Sequence, residues 1–133
     1  MIRYVSLGSN DLARSAVFYD AVLSHLGLYP EVLPTVIFYA TAYADEEEIV
    51  LAITRPYNEE PATVGNGTMV ALYAESKAMV DQVYATAIAQ GGVSEGAPGI
   101  RPAYGPRRYL AYFRDPDGNK LSIVYLAPVD QGS

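Results

Sequence analysis

The sequence has no cysteine and no tryptophan, and it has one histidine and three phenylalanines among 133 residues. Without cysteine, the chain has neither disulfides nor a thiol nucleophile. No apolar run approaches the roughly 20 residues that span a bilayer, which excludes a transmembrane helix of that kind. No signal-peptide pattern precedes the first predicted strand, so we expect a cytoplasmic protein with no membrane partner.

Positive charge is also scarce. Nine lysines and arginines stand against fifteen aspartates and glutamates, which gives a net charge of -6. Arg107 and Arg108 form the only adjacent basic pair, so no basic patch offsets repulsion from a phosphate backbone, and nucleic acid is an unfavourable partner. The remaining composition is that of a globular chain, since half of the residues are hydrophobic and 18% are charged.

Tyrosine, in contrast, is abundant, with twelve copies. Most of them are expected to be half-buried strand residues whose hydroxyl reaches water. A few should line a cavity instead. The candidates for its wall are Tyr39, Tyr73, Tyr104 and Tyr112.

Two stretches of the chain resemble each other at an offset of 65 residues. Residues 5–7 and 70–72 have strand-like patterns, and each is followed by a polar break and an amphipathic helical pattern. The same offset relates Tyr19 in the first helix to Tyr84 in the second. Such a repeat predicts a duplicated fold, and paired modules tend to bind ligands where they meet.

The hydrophobic pattern predicts the order β-α-β-β in each half, with a further strand expected in each. Helices should cover one side of the sheet and leave the other side to line a cavity. Pro30 and Pro34 are expected to bound an irregular connection. The acidic run at 45–48 is interpreted as a solvated hairpin tip.

The segment from Arg55 to Gly67 is rich in proline and glycine and reads as a linker. We therefore predict a single domain at 1–127, with module one at 1–57, a linker at 58–66 and module two at 67–127. The polar tail at 128–133 is expected to be frayed.

The sequence from Asp115 to Asn119 reads Asp-Pro-Asp-Gly-Asn, which alone indicates a hairpin turn. It follows a stretch that begins at Gly96 and includes Tyr112-Phe113. The opening around residues 11–19 and the Gly-Asn-Gly-Thr at 65–68 complete the pattern. With these motifs, nearly the whole chain resembles the glyoxalase/bleomycin-resistance/dioxygenase family, which has the vicinal oxygen chelate fold.

The resemblance implies an α+β fold in which two βαβββ modules in tandem form a curved mixed sheet around a cavity, with helices on the outer face. In catalytic members of the family, His and Glu side chains hold a divalent metal at the cavity floor. The metal polarises vicinal oxygens of the substrate. The cavity forms within one chain in some members and across a dimer in others, and a homodimer is the preferred expectation here.

The positions that carry metal ligands in close relatives correspond to Tyr4, Met69 and Ser122 in this chain. Phenol, thioether and hydroxyl groups are poor ligands for the divalent metals that favour carboxylate and imidazole. No metal and no other cofactor is therefore predicted. The lone histidine, His25, is expected on the surface near a helix C-terminus, where a partly charged imidazole suits the helix dipole.

Arg107, Arg108 and Tyr109 begin the penultimate strand, after a Pro- and Gly-rich loop at 98–106 that is able to cover the cavity mouth. A guanidinium there is suited to an anionic or carbonyl-bearing ligand, because its donors match planar oxygen acceptors. The alternative is a solvent-exposed edge pair. Arg108 and Tyr109 are retained as candidate ligand contacts.

The leading hypothesis is a metal-independent protein that binds or sequesters a small apolar or aromatic compound. Its cavity floor would consist of Tyr4, Met69, Tyr73 and Ser122. One alternative is a metal-dependent lyase or isomerase of the lactoylglutathione lyase type. Another is a metal-free enzyme with Tyr4 as the proton donor or acceptor beside Ser122.

Overall fold

The computed structural model describes residues 1–43 and 45–129, and it consists of two successive βαβββ modules. Module one contains β1 (Val5–Gly8), α1 (Leu12–Ser24), β2 (Tyr29–Val32), β3 (Val36–Ala40) and β4 (Ile49–Thr54). Module two contains β5 (Val70–Tyr73), α2 (Lys77–Ala89), β6 (Val93–Ile100), β7 (Arg108–Arg114) and β8 (Lys120–Leu126). The predicted α+β class and the duplicated module are confirmed.

Each module forms its own four-stranded mixed sheet. The strand orders are β1-β4-β3-β2 and β5-β8-β7-β6, with the first strand of each module parallel to its last and the other pairs antiparallel. The two helices keep the 65-residue offset at both of their ends. The offset is lost afterwards, because β6 has 8 residues where β2 has 4.

The connection expected to be irregular after Pro30 is in fact strand β2, with Pro30 opposite Tyr39. β2 lies at the edge of its sheet, where a strand tolerates proline because one row of N–H groups needs no partner strand. The acidic run behaves as expected. Asp45 accepts a hydrogen bond from the Glu47 amide at 3.0 Å, and an exposed 3-10 turn at Glu46–Glu48 leads into β4.

The helices cover one face of each sheet and share one hydrophobic core. Phe18 and Tyr19 of α1 are fully buried, and the Phe18 ring lies 6.2 Å from the Phe113 ring of β7. The core cluster contains residues of both modules. Burying a side chain as large as Phe18 contributes about 1.5–3 kcal/mol, so this packing stabilises each module against the other.

The turn at 115–119 joins the modules through a buried polar network. The Asp115 carboxylate accepts hydrogen bonds from the Tyr19 hydroxyl at 2.5 Å and from the amide nitrogen of the Asn119 side chain at 2.9 Å. The same Asn119 nitrogen donates to the Gly8 carbonyl at 2.9 Å. Burial, and then the nearby Asp115 charge, raise the pKa of Tyr19 well above its usual value, so this phenol stays protonated and remains a donor.

Asp117 in the same turn binds the start of α1. Its carboxylate accepts a hydrogen bond from the Arg14 guanidinium at 2.8 Å and another from the Ser15 hydroxyl at 3.1 Å. The turn therefore does more than reverse the chain, because both of its aspartates hold module one against module two.

In the part of the chain that the structure describes, no helix is long and apolar enough to cross a membrane. The cytoplasmic location and the exact module boundaries stay predictions. Of the tail expected at 128–133, Pro128 and Val129 are described and exposed, and residues 130–133 lie outside the described residues.

Candidate functional site

The sheet faces opposite the helices are open, and an equivalent row of three residues crosses each of them. In module two, strand pairing aligns Ala71, Ser122 and Tyr112. In module one, the equivalent row consists of Ser6, Ala52 and Phe38. Side chains in register across neighbouring strands point to the same face, so each row marks the centre of an open face.

A pocket of about 470 Å³ lies on the open face of module two. It brings together six of the nine predicted ligand contacts, namely Met69, Tyr73, Tyr104, Arg108, Tyr112 and Ser122. Every residue that lines it belongs to module two.

Five apolar side chains that line the pocket had not been predicted as ligand contacts: Ala71, Leu72, Leu110, Val124 and Leu126. The alternation of β8 was a usable signal, because Val124 and Leu126 are two and four residues after Ser122 and so share its face. Leu110 shares a face with Tyr112 in the same way.

Ser122 lies at the pocket floor and is buried. Its hydroxyl donates a hydrogen bond to the Ala111 carbonyl at 3.0 Å, so only its oxygen lone pairs are available to a ligand. Met69 and Tyr73 lie at the open side, where 42% and 76% of their surfaces are exposed. The pocket is thus tightly packed at its floor and open towards solvent.

Two cations that the sequence did not indicate lie over the Tyr112 ring. The Lys120 nitrogen is 5.1 Å and the Arg101 guanidinium 5.7 Å from the ring centroid. At these distances the cations are attracted to the ring quadrupole. Both cations therefore place positive charge beside Tyr112, which lines the pocket.

Tyr39 and Tyr109 were expected at the cavity, but the structure places both on the helix side. Tyr39 is fully buried in the core, and its hydroxyl donates to Asp20 at 2.8 Å. Desolvation by burial, and then this bond, raise the pKa of Tyr39. Tyr109 donates to Asp81 at 2.7 Å, a bond that raises the pKa of Tyr109. Its position three residues before Tyr112 puts it on the other face of β7.

Tyr4 is separated from the rest of the predicted floor. It precedes β1, is 43% exposed, and packs edge-on against Phe38 with ring centroids 6.0 Å apart. Tyr4 and Phe38 belong to the open face of module one, whereas Met69 and Ser122 belong to module two. The four residues expected to form one floor are therefore divided between two faces within a chain.

The residues on the two faces do not fit a divalent metal. Tyr4, Met69 and Ser122 supply phenol, thioether and hydroxyl groups, and the hydroxyl proton of Ser122 is already donated to a backbone carbonyl. Among the described residues, no group of three or more His, Cys, Asp or Glu side chains could hold a metal ion. His25 lies within hydrogen-bonding distance of Thr86 at 2.8 Å and lines neither described pocket.

A second, polar cleft of about 710 Å³ lies at the end of module one. It is formed by the segment from Arg55 to Pro61 together with residues that include Ser9, Thr35 and Thr54. None of the predicted contacts lines this cleft. The open face of module two is therefore the candidate site.

The tandem pair of βαβββ modules with an open sheet face defines the fold class of this protein. Residues 1–123 match the model of the Glyoxalase/Bleomycin resistance protein/Dioxygenase superfamily. Because this covers most of the chain, the protein belongs to that superfamily, as the sequence motifs indicated. No curated protein shows significant sequence similarity to the chain.

Several solved structures are similar. A glyoxalase/bleomycin resistance protein from Albidiferax ferrireducens T118 is 39% identical, with a TM-score of 0.81, over 93% of this chain and 97% of the other. A glyoxalase-related enzyme from Fulvimarina pelagi is 25% identical over 93% and 86% of the two chains, with a TM-score of 0.70. A lactoylglutathione lyase from Agrobacterium tumefaciens, 24% identical over 93% and 92% with a TM-score of 0.62, shares the fold.

Proposed function

We propose that the protein binds or sequesters a small apolar or aromatic compound on the open face of module two, without a catalytic metal. The observation that carries this proposal is the chemistry of the pocket. Its lining consists of aliphatic, thioether and tyrosine side chains with one arginine and one serine, and no carboxylate or imidazole. Such a surface favours a compound with an apolar body and a polar edge.

The size and lining of the pocket support a small ligand. A volume of about 470 Å³ lies within the range of roughly 300–1,000 Å³ that is typical of small-molecule sites. Leu110, Val124 and Leu126 offer an aliphatic wall, while Tyr104 and Tyr112 offer rings for stacking. Tyrosine hydroxyls at the rim would stay in contact with water or with polar atoms of the ligand.

We also propose that a second copy of the chain covers the pocket. Both open faces expose large side chains, including Tyr4, Met69 and Tyr73, and contiguous exposed apolar surface commonly marks an interface. In a homodimer with two-fold symmetry, module one of one chain would meet module two of the other. This arrangement would reunite Tyr4 with Met69 and Ser122 across the two chains.

The experiment has two parts. A thermal-shift screen with small aromatic compounds tests binding, and metal analysis of the purified protein, with and without added Ni, Mn, Fe or Zn, tests the alternative of a metal-dependent lyase. We expect stabilisation by some of the aromatic compounds after dialysis against EDTA. Stoichiometric metal bound at the Met69–Ser122 face, or a requirement for metal in ligand binding, would refute the proposal.

The metal-free alternative, with Tyr4 as proton donor or acceptor beside Ser122, needs the same dimer. Within one chain these side chains lie on different sheets, and Ser122 already donates its proton to Ala111. Sedimentation of the wild type and of a Tyr4→Glu variant tests the shared requirement. If the wild type were monomeric, both the proposal that a second copy covers the pocket and the alternative of a metal-free enzyme would be wrong.

A further inference from the structure

The charge of the protein is distributed unevenly between the modules. Residues 1–66 contain nine acidic and three basic side chains, whereas residues 67–129 contain five acidic and six basic ones. The protein as a whole has a net charge of -6. Positive charge is therefore concentrated in the module that carries the pocket, and local charge of one sign raises the concentration of oppositely charged ligands there.

Three cations lie in or beside the pocket without a carboxylate bound to them. Arg108 lines the pocket, and Arg101 and Lys120 lie over the Tyr112 ring. Arg114 shares their face but is paired with Glu95, at 2.6 Å. This pair, with the Arg114 hydrogen bond as the leading cause, lowers the pKa of Glu95 and keeps it ionised. The surplus charge of the face is therefore positive.

The backbone of β6 holds Arg101 in place. Its guanidinium donates to the Ala97 carbonyl at 2.7 Å and occupies space that side chains at Gly96 and Gly99 would fill. A Cβ atom built on Gly96 would lie 2.9 Å from one Arg101 nitrogen, and one built on Gly99 would lie 3.2 Å from another. The absence of side chains at Gly96 and Gly99 therefore leaves space for the Arg101 guanidinium beside Tyr112.

Arg108 differs from the other arginines of module two, because its guanidinium has no partner among the described residues. Arg101 and Arg107 donate to backbone carbonyls, and Arg114 binds Glu95. Arg108 extends from β7 opposite Leu126, at the end of the aliphatic wall formed with Leu110 and Val124. A free planar donor beside an apolar wall matches a ligand with an apolar body and a terminal planar anion.

We propose that the ligand of this pocket is an organic anion, an aryl or alkyl carboxylate, and that Arg108 determines this specificity. The inference depends on the proposed binding function and narrows its ligand class. The apolar body packs on Leu110, Val124 and Leu126, and the carboxylate accepts hydrogen bonds from Arg108. The positive charges of Arg101 and Lys120 attract an anionic ligand but not a neutral one.

A matched pair of probes, naphthoate and naphthamide, tests the proposal, because they share an aromatic body and differ in charge. Isothermal titration calorimetry of the full chain should show naphthoate binding about tenfold to a hundredfold more tightly than naphthamide, the range expected for a hydrogen bond to a charged group. Higher salt should weaken the binding of naphthoate more than that of naphthamide.

Three variants assign the effect to Arg108. Arg108→Gln should remove most of the preference for naphthoate, and Arg108→Lys should retain part of it, because lysine keeps the charge but loses the planar fork. Arg107→Gln makes the same change in net charge at the adjacent residue and should leave the preference intact. Arg108 is exposed, so we expect circular dichroism spectra of its variants to match that of the wild type.

The outcomes separate this inference from the function on which it depends. Equal affinity for both probes would overturn the anion proposal and leave a pocket for small molecules. Binding of neither probe would contradict both. If Arg108→Gln dissociated a dimer and left the preference for naphthoate unchanged, then Arg108 would serve a carboxylate of the second copy, and the specificity assigned to it would be wrong.

Discussion

The two modules are copies of one βαβββ unit, yet the connection between the last two strands has a different role in each. Asp115 and Asn119 of the β7–β8 turn are buried at the junction, and Asp115 binds Tyr19 of the other module. In the β3–β4 connection residues 45–48 are exposed, and the Asp45 side chain caps a short 3-10 turn. The repeat supplied the same scaffold twice, but only one of its two hairpins fixes the modules to each other.

The open faces differ in a parallel way. The central row of module one consists of Ser6, Ala52 and Phe38, whereas the corresponding row of module two consists of Ala71, Ser122 and Tyr112. Arg101 and Lys120 lie over the Tyr112 ring and Arg108 lines the same pocket, so three cations lie on the open face of module two. The core of a duplicated fold constrains both copies, while side chains that point away from it are able to diverge.

The largest effect is expected from the two hairpin aspartates. Asp115→Ala leaves the Tyr19 hydroxyl and the Asn119 amide without their buried acceptor, so we expect a loss of about 3–5 kcal/mol in the free energy of unfolding. Asp45→Ala removes one exposed cap and should cost about 1 kcal/mol or less. Urea denaturation of both variants measures the difference, and equal losses would contradict a special role for the β7–β8 turn.

Tyr19 and Tyr84, which occupy equivalent positions of the repeat, allow the same comparison with a smaller expected loss of stability. Tyr19→Phe removes one donor from the buried Asp115 carboxylate and should cost about 1–3 kcal/mol. Tyr84→Phe removes an exposed bond to Ser94 and should change stability by about 0.5 kcal/mol or less. Thermal unfolding of the pair measures both values. A larger loss for Tyr84→Phe would reverse the proposed asymmetry.

The alkaline limb of the stability profile should depend on Tyr19. Its pKa is raised in the folded state, so the neutral phenol contributes stability that is fully present below pH of about 10, the ordinary tyrosine pKa, and is lost as pH rises towards the folded pKa. Tyr19→Phe should therefore lose stability less steeply than the wild type above pH about 10. The stability of Tyr84→Phe should decrease with pH as that of the wild type does. If the stability of Tyr19→Phe also decreased as steeply as that of the wild type, then Tyr19 would not be the cause of the pH dependence.

The smallest effect is expected on the open face. Ser122→Ala removes one hydrogen bond to the Ala111 carbonyl and should cost about 0.5–1.5 kcal/mol. Ala52→Ser, the reverse change in module one, should cost a similar amount or less. Affinity for an aromatic ligand should hardly change in Ser122→Ala, because the Ser122 proton is directed to the backbone. A loss of binding above tenfold would show that the hydroxyl contacts the ligand directly.

The sequence predicted the fold well because hydrophobic periodicity and the repeat are local signals. It missed β2, since Pro30 reads as a strand breaker unless the strand is known to lie at an edge. Tyr109 was assigned to the wrong face, although its position three residues before Tyr112 places the two side chains on opposite faces of β7. For Tyr39 no such signal existed, because alternation within β3 does not reveal which face meets the helices.

The division of Tyr4 from Ser122 could not be predicted from the sequence. A repeat in the sequence does not state how its two copies pack on each other or on a second chain. That information lies in long-range contacts such as the bonds from Asp115 to Tyr19 and from Asn119 to Gly8. The position of the Arg101 guanidinium could not be predicted either, because Gly96 and Gly99 are equally consistent with ordinary loop glycines.

The central claim is that module two binds a small molecule without a metal, and a nuclear magnetic resonance titration of the EDTA-dialysed protein with naphthoate tests it most directly. We predict saturable shifts of the methyl signals of Met69, Leu110, Val124 and Leu126, with the signals of Thr54 at the polar cleft unchanged. Shifts at Thr54 alone, or binding that begins only after a divalent metal is added, would contradict it.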